Sequence, residues 1–204
     1  MCREKTDWEK AMEFHGHVCL GLAFGYRAAK AGMDLIEAKR APDEEVVVIA
    51  ETDNCGVDAV QVVTGCTMGK GNLIFKDYGK NAYTFVCRDT GKAVRIVVTP
   101  NEQSFPEEFV TLRDRWRRGE LTPEDQEKMK KLQLKVVSDI LQAPQDELLQ
   151  VQEIQVDLPE KARIFKSVPC AVCGEMVMEP RARVRDGKFV CIPCSENYSS
   201  RVAG

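Results

Sequence analysis

Glu45-Val46-Val47-Val48-Ile49-Ala50-Glu51 runs into Thr52-Asp53-Asn54-Cys55-Gly56 and then into Val57-Asp58-Ala59-Val60-Gln61-Val62-Val63. Five consecutive apolar residues between two glutamates read as a β-strand, apolar enough to be central in a sheet. Asn54-Cys55-Gly56 marks the turn, and the chain returns to helix at Val57. Cys55 thereby falls at a helix N-terminus, immediately after a strand.

Upstream, residues 20–39 read as a long Ala-rich helix, with Leu22, Tyr26, Ala29, Met33 and Ile36 near helical spacing. Gly21, Gly25 and Gly32 weaken its propensity, so a closely packed partner is expected over that face. Residues 7–14 form a shorter helix with Asp7 as its cap. Downstream, residues 73–75, 82–88 and 93–98 read as strands, the last two joined by a turn at Asp89-Thr90-Gly91-Lys92. A loop at 100–106 leads to helices over 107–118 and 122–141. Thr122-Pro123-Glu124-Asp125 supplies the second helix with a cap, a proline in its first turn and acidic residues. A strand follows over 148–156, and 159–166 is a charged linker. This order is that of an α+β core over residues 1–160 and a small zinc-binding domain over 161–204, with the boundary near 157–166.

The chain has 204 residues, 44% hydrophobic and 30% charged, which suffices to bury an ordinary core. A formal net charge of −3 gives no overall basic field for nucleic acid. No stretch approaches the roughly 18 apolar residues of a membrane span, and no apolar leader is evident, which points to the cytoplasm and away from a membrane. Nine cysteines, an odd number, argue for metal thiolates in a reducing compartment rather than for disulfides.

Four of them form Cys170-Ala-Val-Cys173-Gly174 and Cys191-Ile-Pro-Cys194. Thiolates separated by two residues reach one ion from a tight turn, and two such pairs complete a tetrahedral, closed zinc site. A redox-active pair is the rival reading, but the doubled motif favours structural Zn2+. Between the pairs, Val177-Met178, Arg183-Val-Arg185, Asp186-Gly187 and Lys188-Phe-Val190 read as a β-hairpin with an Asp-Gly turn, and residues 195–201 as a short helix. Knuckle, hairpin and helix together resemble a treble clef. From Glu160 onward, eight Lys and Arg stand against five Asp and Glu. Arg181, Arg183 and Arg185 alternate on the hairpin and share one strand face, either as a solvated surface or as a site for phosphate or an acidic protein.

His15-Gly16-His17-Val18-Cys19 contains both histidines of the chain. In an extended segment, alternation sends His15, His17 and Cys19 to one side. In a tight helix entrance, Cys19 sits at a helix N-terminus, which favours the thiolate. His17, Cys19 and Cys55 are the expected ligands of a second, core transition metal, Zn2+ among the candidates, with an open coordination position. His15 and Cys66 are the candidate catalytic residues beside it. Thr64-Gly-Cys-Thr-Met-Gly-Lys-Gly-Asn-Leu73 lacks the Walker pattern. It reads as a loop carrying Cys66, Thr67 and Lys70 to a pocket, with a core position for Cys66 left open. Asp53 and Asp58 are assigned to capping or to supporting the ligands. Cys87 reads as a buried small hydrophobe and Cys2 as a terminal thiol.

Phe14-His-Gly-His-Val-Cys-Leu-Gly-Leu-Ala-Phe-Gly-Tyr-Arg-Ala-Ala29, Cys55-Gly-Val-Asp-Ala-Val-Gln61, Gly65-Cys-Thr-Met-Gly-Lys-Gly-Asn-Leu73 and Asp77-Tyr-Gly-Lys80 together resemble the FmdE-like family, the E subunit of formylmethanofuran dehydrogenase and its relatives. Leu20 stands where the family's first motif has proline. The resemblance implies an α+β core, a treble-clef zinc domain, and homodimers, with domain exchange between protomers as one arrangement. It also implies a His/Cys metal pocket and association with molybdenum or tungsten enzymes that interconvert carbon dioxide and a formyl group. Three functions compete on these grounds. One is a metal-dependent oxidoreductase or accessory subunit. The second is a non-catalytic metal carrier, sensor or assembly protein docking through its zinc domain. The third, nucleic-acid binding, is disfavoured by the charge.

Overall fold

A computed structural model of the chain describes residues 3–100 and 105–195. Cys2, residues 101–104 of the expected loop and nearly all of the helix expected over 195–201 lie outside the described residues. The chain divides into two units, Met1–Lys161 and Ala162–Gly204.

In the first unit, α1 (Asp7–His15) and α2 (Leu20–Leu35) precede β1 (Val46–Ala50). From there α3 (Gly56–Thr64) leads to β2 (Leu73–Phe75), β3 (Ala82–Cys87) and β4 (Ala93–Val98). Then α4 (Glu107–Arg117), α5 (Pro123–Gln142) and a single turn, α6 (Gln145–Leu148), return the chain to β5 (Leu149–Glu153). The strands form one sheet ordered β2-β1-β3-β4-β5. β1 and β2 are parallel, because a helix, α3, carries the chain back between them; the remaining neighbours are antiparallel. The architecture is α+β, with the wholly buried β1 inside the sheet as its apolar run requires.

Alternation along the strands assigns the two faces. Val46, Val48 and Ala50 lie opposite Cys87, Phe85 and Tyr83, and all six join the main core with α2, α3 and α5. Val47 pairs with Val86 on the other face, in a smaller cluster covered by Ile154 and Val156. The packing partner that the glycines of α2 call for is present. A Cβ on Gly25 would lie 2.2 Å from the Gly56 carbonyl oxygen, and one on Gly32 would lie 2.4 Å from the Phe85 ring. Helix α2 therefore touches the first turn of α3 backbone to backbone.

Several local expectations are corrected. The cap of α1 is Thr6, not Asp7: its side chain accepts the Glu9 N–H while Glu9 accepts the Thr6 N–H, a reciprocal capping box. Helix α2 stops at Leu35 rather than 39, and Glu37 just beyond it has φ 54°. The strand expected over 148–156 is shortened to five residues and preceded by α6, which is too short to leave a periodic signal. Thr122 caps α5 as expected, with Asp125 completing a second capping box.

Among the described residues, the second unit contains two small hairpins. β6 (Ser167–Pro169) pairs with β7 (Met176–Met178), and β8 (Arg183–Arg185) pairs with β9 (Lys188–Val190). Asp186 and Gly187 have φ of 49° and 72°, the two left-handed positions of a type I′ turn. Arg181 belongs to a 3-10 turn, Glu179–Arg181, so only Arg183 and Arg185 lie on β8 and the three-arginine stripe does not form. Among the described residues no helix is long and apolar enough to cross a membrane.

The contact between α2 and α3 is directly testable. Gly25→Ala is expected to destabilise the protein by about 3 kcal/mol through overpacking. Gly69→Ala, where a Cβ meets nothing within 4 Å, should be nearly neutral. Equal denaturant midpoints for the two variants would exclude this backbone approach.

Candidate metal centres

The second unit gathers Cys170, Cys173, Cys191 and Cys194, whose sulfurs all lie within 4.8 Å of one another. The Cys173 and Cys191 sulfurs are 3.9 Å apart. Tetrahedral zinc with bonds of about 2.3 Å separates its sulfurs by about 3.8 Å, so the donor set fits the ion. Cys170 accepts the Cys191 backbone N–H at 3.3 Å. Backbone N–H groups of Cys173, Cys191 and Val172 bring its pKa down to about 6, whereas the neighbouring thiols push Cys194 up to about 12. Four thiols competing in this way ionise together only beside a cation. The buried apolar cluster around them is small, Val190 with Cys170 and Cys191, which leaves metal as the main source of folding energy.

The second group lies in the first unit. Helix α1 ends at Gly16, whose φ of 85° reverses the chain while its N–H bonds the Met12 carbonyl at 2.9 Å. Cys19 is the cap of α2, and its sulfur accepts the Leu22 N–H at 3.3 Å. The entrance is thus the tight helical one, and the extended alternative does not occur. Cys55 caps α3 in the same positional sense but makes no side-chain capping bond. Asn54 makes that bond instead, its Oδ1 accepting the Gly56 N–H at 2.8 Å and the Tyr83 hydroxyl at 3.2 Å. Asn54 Nδ2 then donates to Asn81 at 3.2 Å. The cysteine side chain is left available while its turn is pinned.

One donor atom each from His15, His17, Cys19 and Cys55 lies within 4.8 Å of all the others. Nδ1 of His15 is 2.7 Å from Asp58 Oδ2, and its Nε2 is 3.7 Å from the Cys19 sulfur. A carboxylate at Nδ1 holds the proton there and turns the Nε2 lone pair towards the cysteines, as in carboxylate–histidine–metal arrangements. Gln61 steadies the other oxygen of Asp58 at 3.3 Å. The His17 ring packs on that of His15, centroids 4.2 Å apart, and is exposed. A thiolate sulfur and an imidazole nitrogen on one tetrahedral zinc stand about 3.6 Å apart, so this set also fits a transition metal.

Three expectations change here. His15, expected to assist, is among the donors and is the histidine with a carboxylate partner. The thiol of Cys19 is raised rather than lowered: burial outweighs the Leu22 N–H, and the nearby Cys55 adds to the rise. Cys66 is not at the site. It is fully buried in the main core, its sulfur donates to the Val46 carbonyl at 3.3 Å, and burial raises its pKa. Lys70 of the same loop is likewise turned away from the site, donating to the carbonyls of Ala41, Pro42 and Asp43. Cys87 is a buried core residue. Asn54 and Tyr83 join the site without having been expected there. An Asn directly before Cys-Gly at a strand-to-helix turn is the available signal for the first; nothing in the sequence marks the second.

A cavity of about 410 Å³ opens beside this group, between the end of β1, the first turns of α3 and β2. His15, Cys55, Asp53 and Asp58 contribute to its lining from the α3 side, and Met68 and Phe75 from the β2 side.

The family model described as FmdE, molybdenum formylmethanofuran dehydrogenase operon, matches residues 14–150. That described as prokaryotic dksA/traR C4-type zinc finger matches residues 163–199. A probable S-adenosyl-L-methionine-binding protein from Archaeoglobus fulgidus is 35% identical over 196 residues, covering 93% of this chain and 52% of the relative. The chain thus spans about half the length of that curated relative. The crystal structure of an FmdE-like protein of the tungsten formylmethanofuran dehydrogenase type, from Syntrophus aciditrophicus, is similar at a TM-score of 0.59 and 23% identity. It covers 91% of this chain and 88% of that one, a likeness of fold.

The placement of Cys66 has a measurable consequence. Cys66→Ala is expected to lower stability by about 1 kcal/mol and to leave the metal content of the protein unchanged. Loss of a metal equivalent in this variant would return Cys66 to the site.

Proposed function

The chain belongs to the FmdE family, and from that premise we propose that it is a two-metal protein serving as a subunit or accessory protein in molybdenum- or tungsten-linked one-carbon redox metabolism. Structural zinc is held by Cys170, Cys173, Cys191 and Cys194. His15, His17, Cys19 and Cys55 hold a second transition metal, Zn2+ being the simplest candidate for two nitrogens and two sulfurs. The observation that carries this reading is the convergence of four donors, from the end of α1, the turn after it and the caps of two helices, on the edge of a cavity.

The chain's own residues divide the work unequally. Asp58 keeps the His15 proton on Nδ1, the Leu22 N–H orients the Cys19 sulfur, and Asn54 with Tyr83 fixes the turn that presents Cys55. His17 is exposed and packs on the His15 ring, so it is the donor that yields most readily to an incoming ligand. A bound metal would supply Lewis acidity or redox chemistry there. Homodimers belong to the same reading through the family resemblance, and the reducing cytoplasm suits the free thiols.

A second reading, a non-catalytic carrier, sensor or assembly protein, draws on the zinc unit. Val172, Met176, Met178 and Val184 are at least half exposed there, an apolar surface suited to docking a partner protein.

Metal analysis of the purified protein separates these assignments. The intact chain is expected to hold two equivalents; Cys55→Ser should lose the core equivalent and His17→Ala should weaken its retention under chelation, both variants keeping the C-terminal zinc. Two equivalents in both variants would refute the core ligand set. Asp58→Ala should weaken core metal binding roughly 10- to 100-fold in a competition titration, with the melting of the zinc unit unaltered.

A further inference from the structure

The turn that carries two of the core donors is held by a helix that supplies none. Gln133 of α5 donates from Nε2 to the Val18 carbonyl at 2.6 Å, across 115 residues of chain. Val18 stands between His17 and Cys19. A carbonyl only accepts, so the amide presents its nitrogen to the turn. On α5, Met129, Val136, Val137 and Ile140 pack on the main core, and Gln133 falls on the same helical stripe. It is a polar residue in an apolar row, placed where that row reaches the turn before α2. The turn has little else to fix it. Gly16 has φ 85° and open space where a Cβ would lie, and among the described residues no other hydrogen bond reaches the backbone of His17 or Val18. The Val18 carbonyl and the Cys19 N–H belong to one rigid peptide plane. Holding that oxygen sets the direction in which the Cys19 side chain leaves the backbone, while the Leu22 N–H fixes its sulfur at the other end. Without the glutamine, His17 and Val18 are free to swing about Gly16, and both donors swing with them.

We propose that Gln133 is a positioning residue of the core centre, holding the His17-Val18-Cys19 turn in its metal-binding form, so that the retention of the metal is governed from α5. This rests on the reading of His15, His17, Cys19 and Cys55 as the ligands. The donors come from α1, α2, α3 and the turns before them, and Gln133 adds an element from much later in the chain to their support. A second polar contact between α5 and α2 supplies the control. Arg27 Nη1 donates to the Ile140 carbonyl at 2.6 Å, about two turns further along α2 than Cys19. It ties the same two helices together without touching a donor or the turn.

Two variants of the full chain separate positioning from general stability. Gln133→Met keeps the length of the side chain and removes its donor; Arg27→Met removes the control bond. Release of Zn2+ to a chromogenic chelator is followed for each, with metal content and denaturant midpoint determined on the same samples. Both variants are expected to lower the midpoint. Gln133→Met should release the core equivalent about three- to tenfold faster than the parent chain and leave the C-terminal zinc at its parent rate. Arg27→Met should release both at the parent rates. In the chain freed of its core metal, NMR order parameters of residues 17–19 should fall in Gln133→Met and stay unchanged in Arg27→Met. Where the methionine variant does not fold, Gln133→Asn, polar but too short to reach Val18, replaces it with the same expectations. Parent-like release and order in the Gln133 variant, or equal acceleration by both variants, overturns the proposal while leaving a measured second metal equivalent standing. A missing core equivalent in the intact chain instead overturns the metal reading, and the order parameters then decide whether Gln133 holds the turn.

Discussion

Everything at the core centre depends on two helices meeting without side chains between them. Gly25 of α2 and Gly56 of α3 bring backbone against backbone, and at that separation the two N-terminal ends lie together. Each end is capped in position by a cysteine, Cys19 on α2 and Cys55 on α3. Gly21 extends the same contact, since a Cβ there would lie 3.2 Å from the Cys55 Cβ and 3.9 Å from the Cys19 sulfur. A larger residue at any of these positions would separate the sulfurs before it disturbed the sheet. The histidines are added to this pair from α1, with Asp58 of α3 holding His15 from the other side.

The apolar runs carried most of the fold in the sequence. β1, β2 and β4 are where alternation and composition place them, because their side chains need no information beyond burial. The segments that escaped are those held by specific polar contacts. Asn72 is fully buried and binds the Asp43 and Val46 carbonyls at 2.8 and 3.0 Å while accepting the Thr67 N–H at 2.9 Å, fixing a loop whose glycines and lysine look like a pocket wall. Lys70 and Cys66 are turned by the same loop towards backbone carbonyls. Residue identity therefore marks Cys66 as reactive while its surroundings make it a core thiol. Hairpin β6/β7 leaves little trace in the sequence because three-residue strands held by a metal knuckle need little hydrophobic pattern. For the core donors, chemistry and spacing were legible along the chain. Which histidine is anchored was not, since Asp58 is 43 residues away from His15.

The two donor sets differ in what surrounds them. Cys170 and Cys191 are buried among little else, and four thiolates close a tetrahedral ion completely, so the C-terminal centre is suited to folding a small unit. The core set sits in a unit that already has a large apolar core, so a metal there is not needed to hold the fold. It includes one exposed histidine and borders a cavity. A metal bound there would contribute little to the fold and would face open space, a setting for chemistry or transfer rather than for architecture.

That placement also bears on what the two helix ends can offer a ligand. In a strand–turn–helix crevice the partial positive charge at a helix N-terminus ordinarily attracts an anionic ligand. In this protein those positions are taken by the chain's own sulfurs: Cys55 stands at the start of α3, and Cys19 at the start of α2 accepts the Leu22 N–H. Once a metal has drawn the protons from both thiols, the helix dipoles stabilise the thiolates and have little left to offer a bound anion. Helix N-termini occupied by metal ligands would thus no longer offer the crevice the positive ends that ordinarily receive an anion.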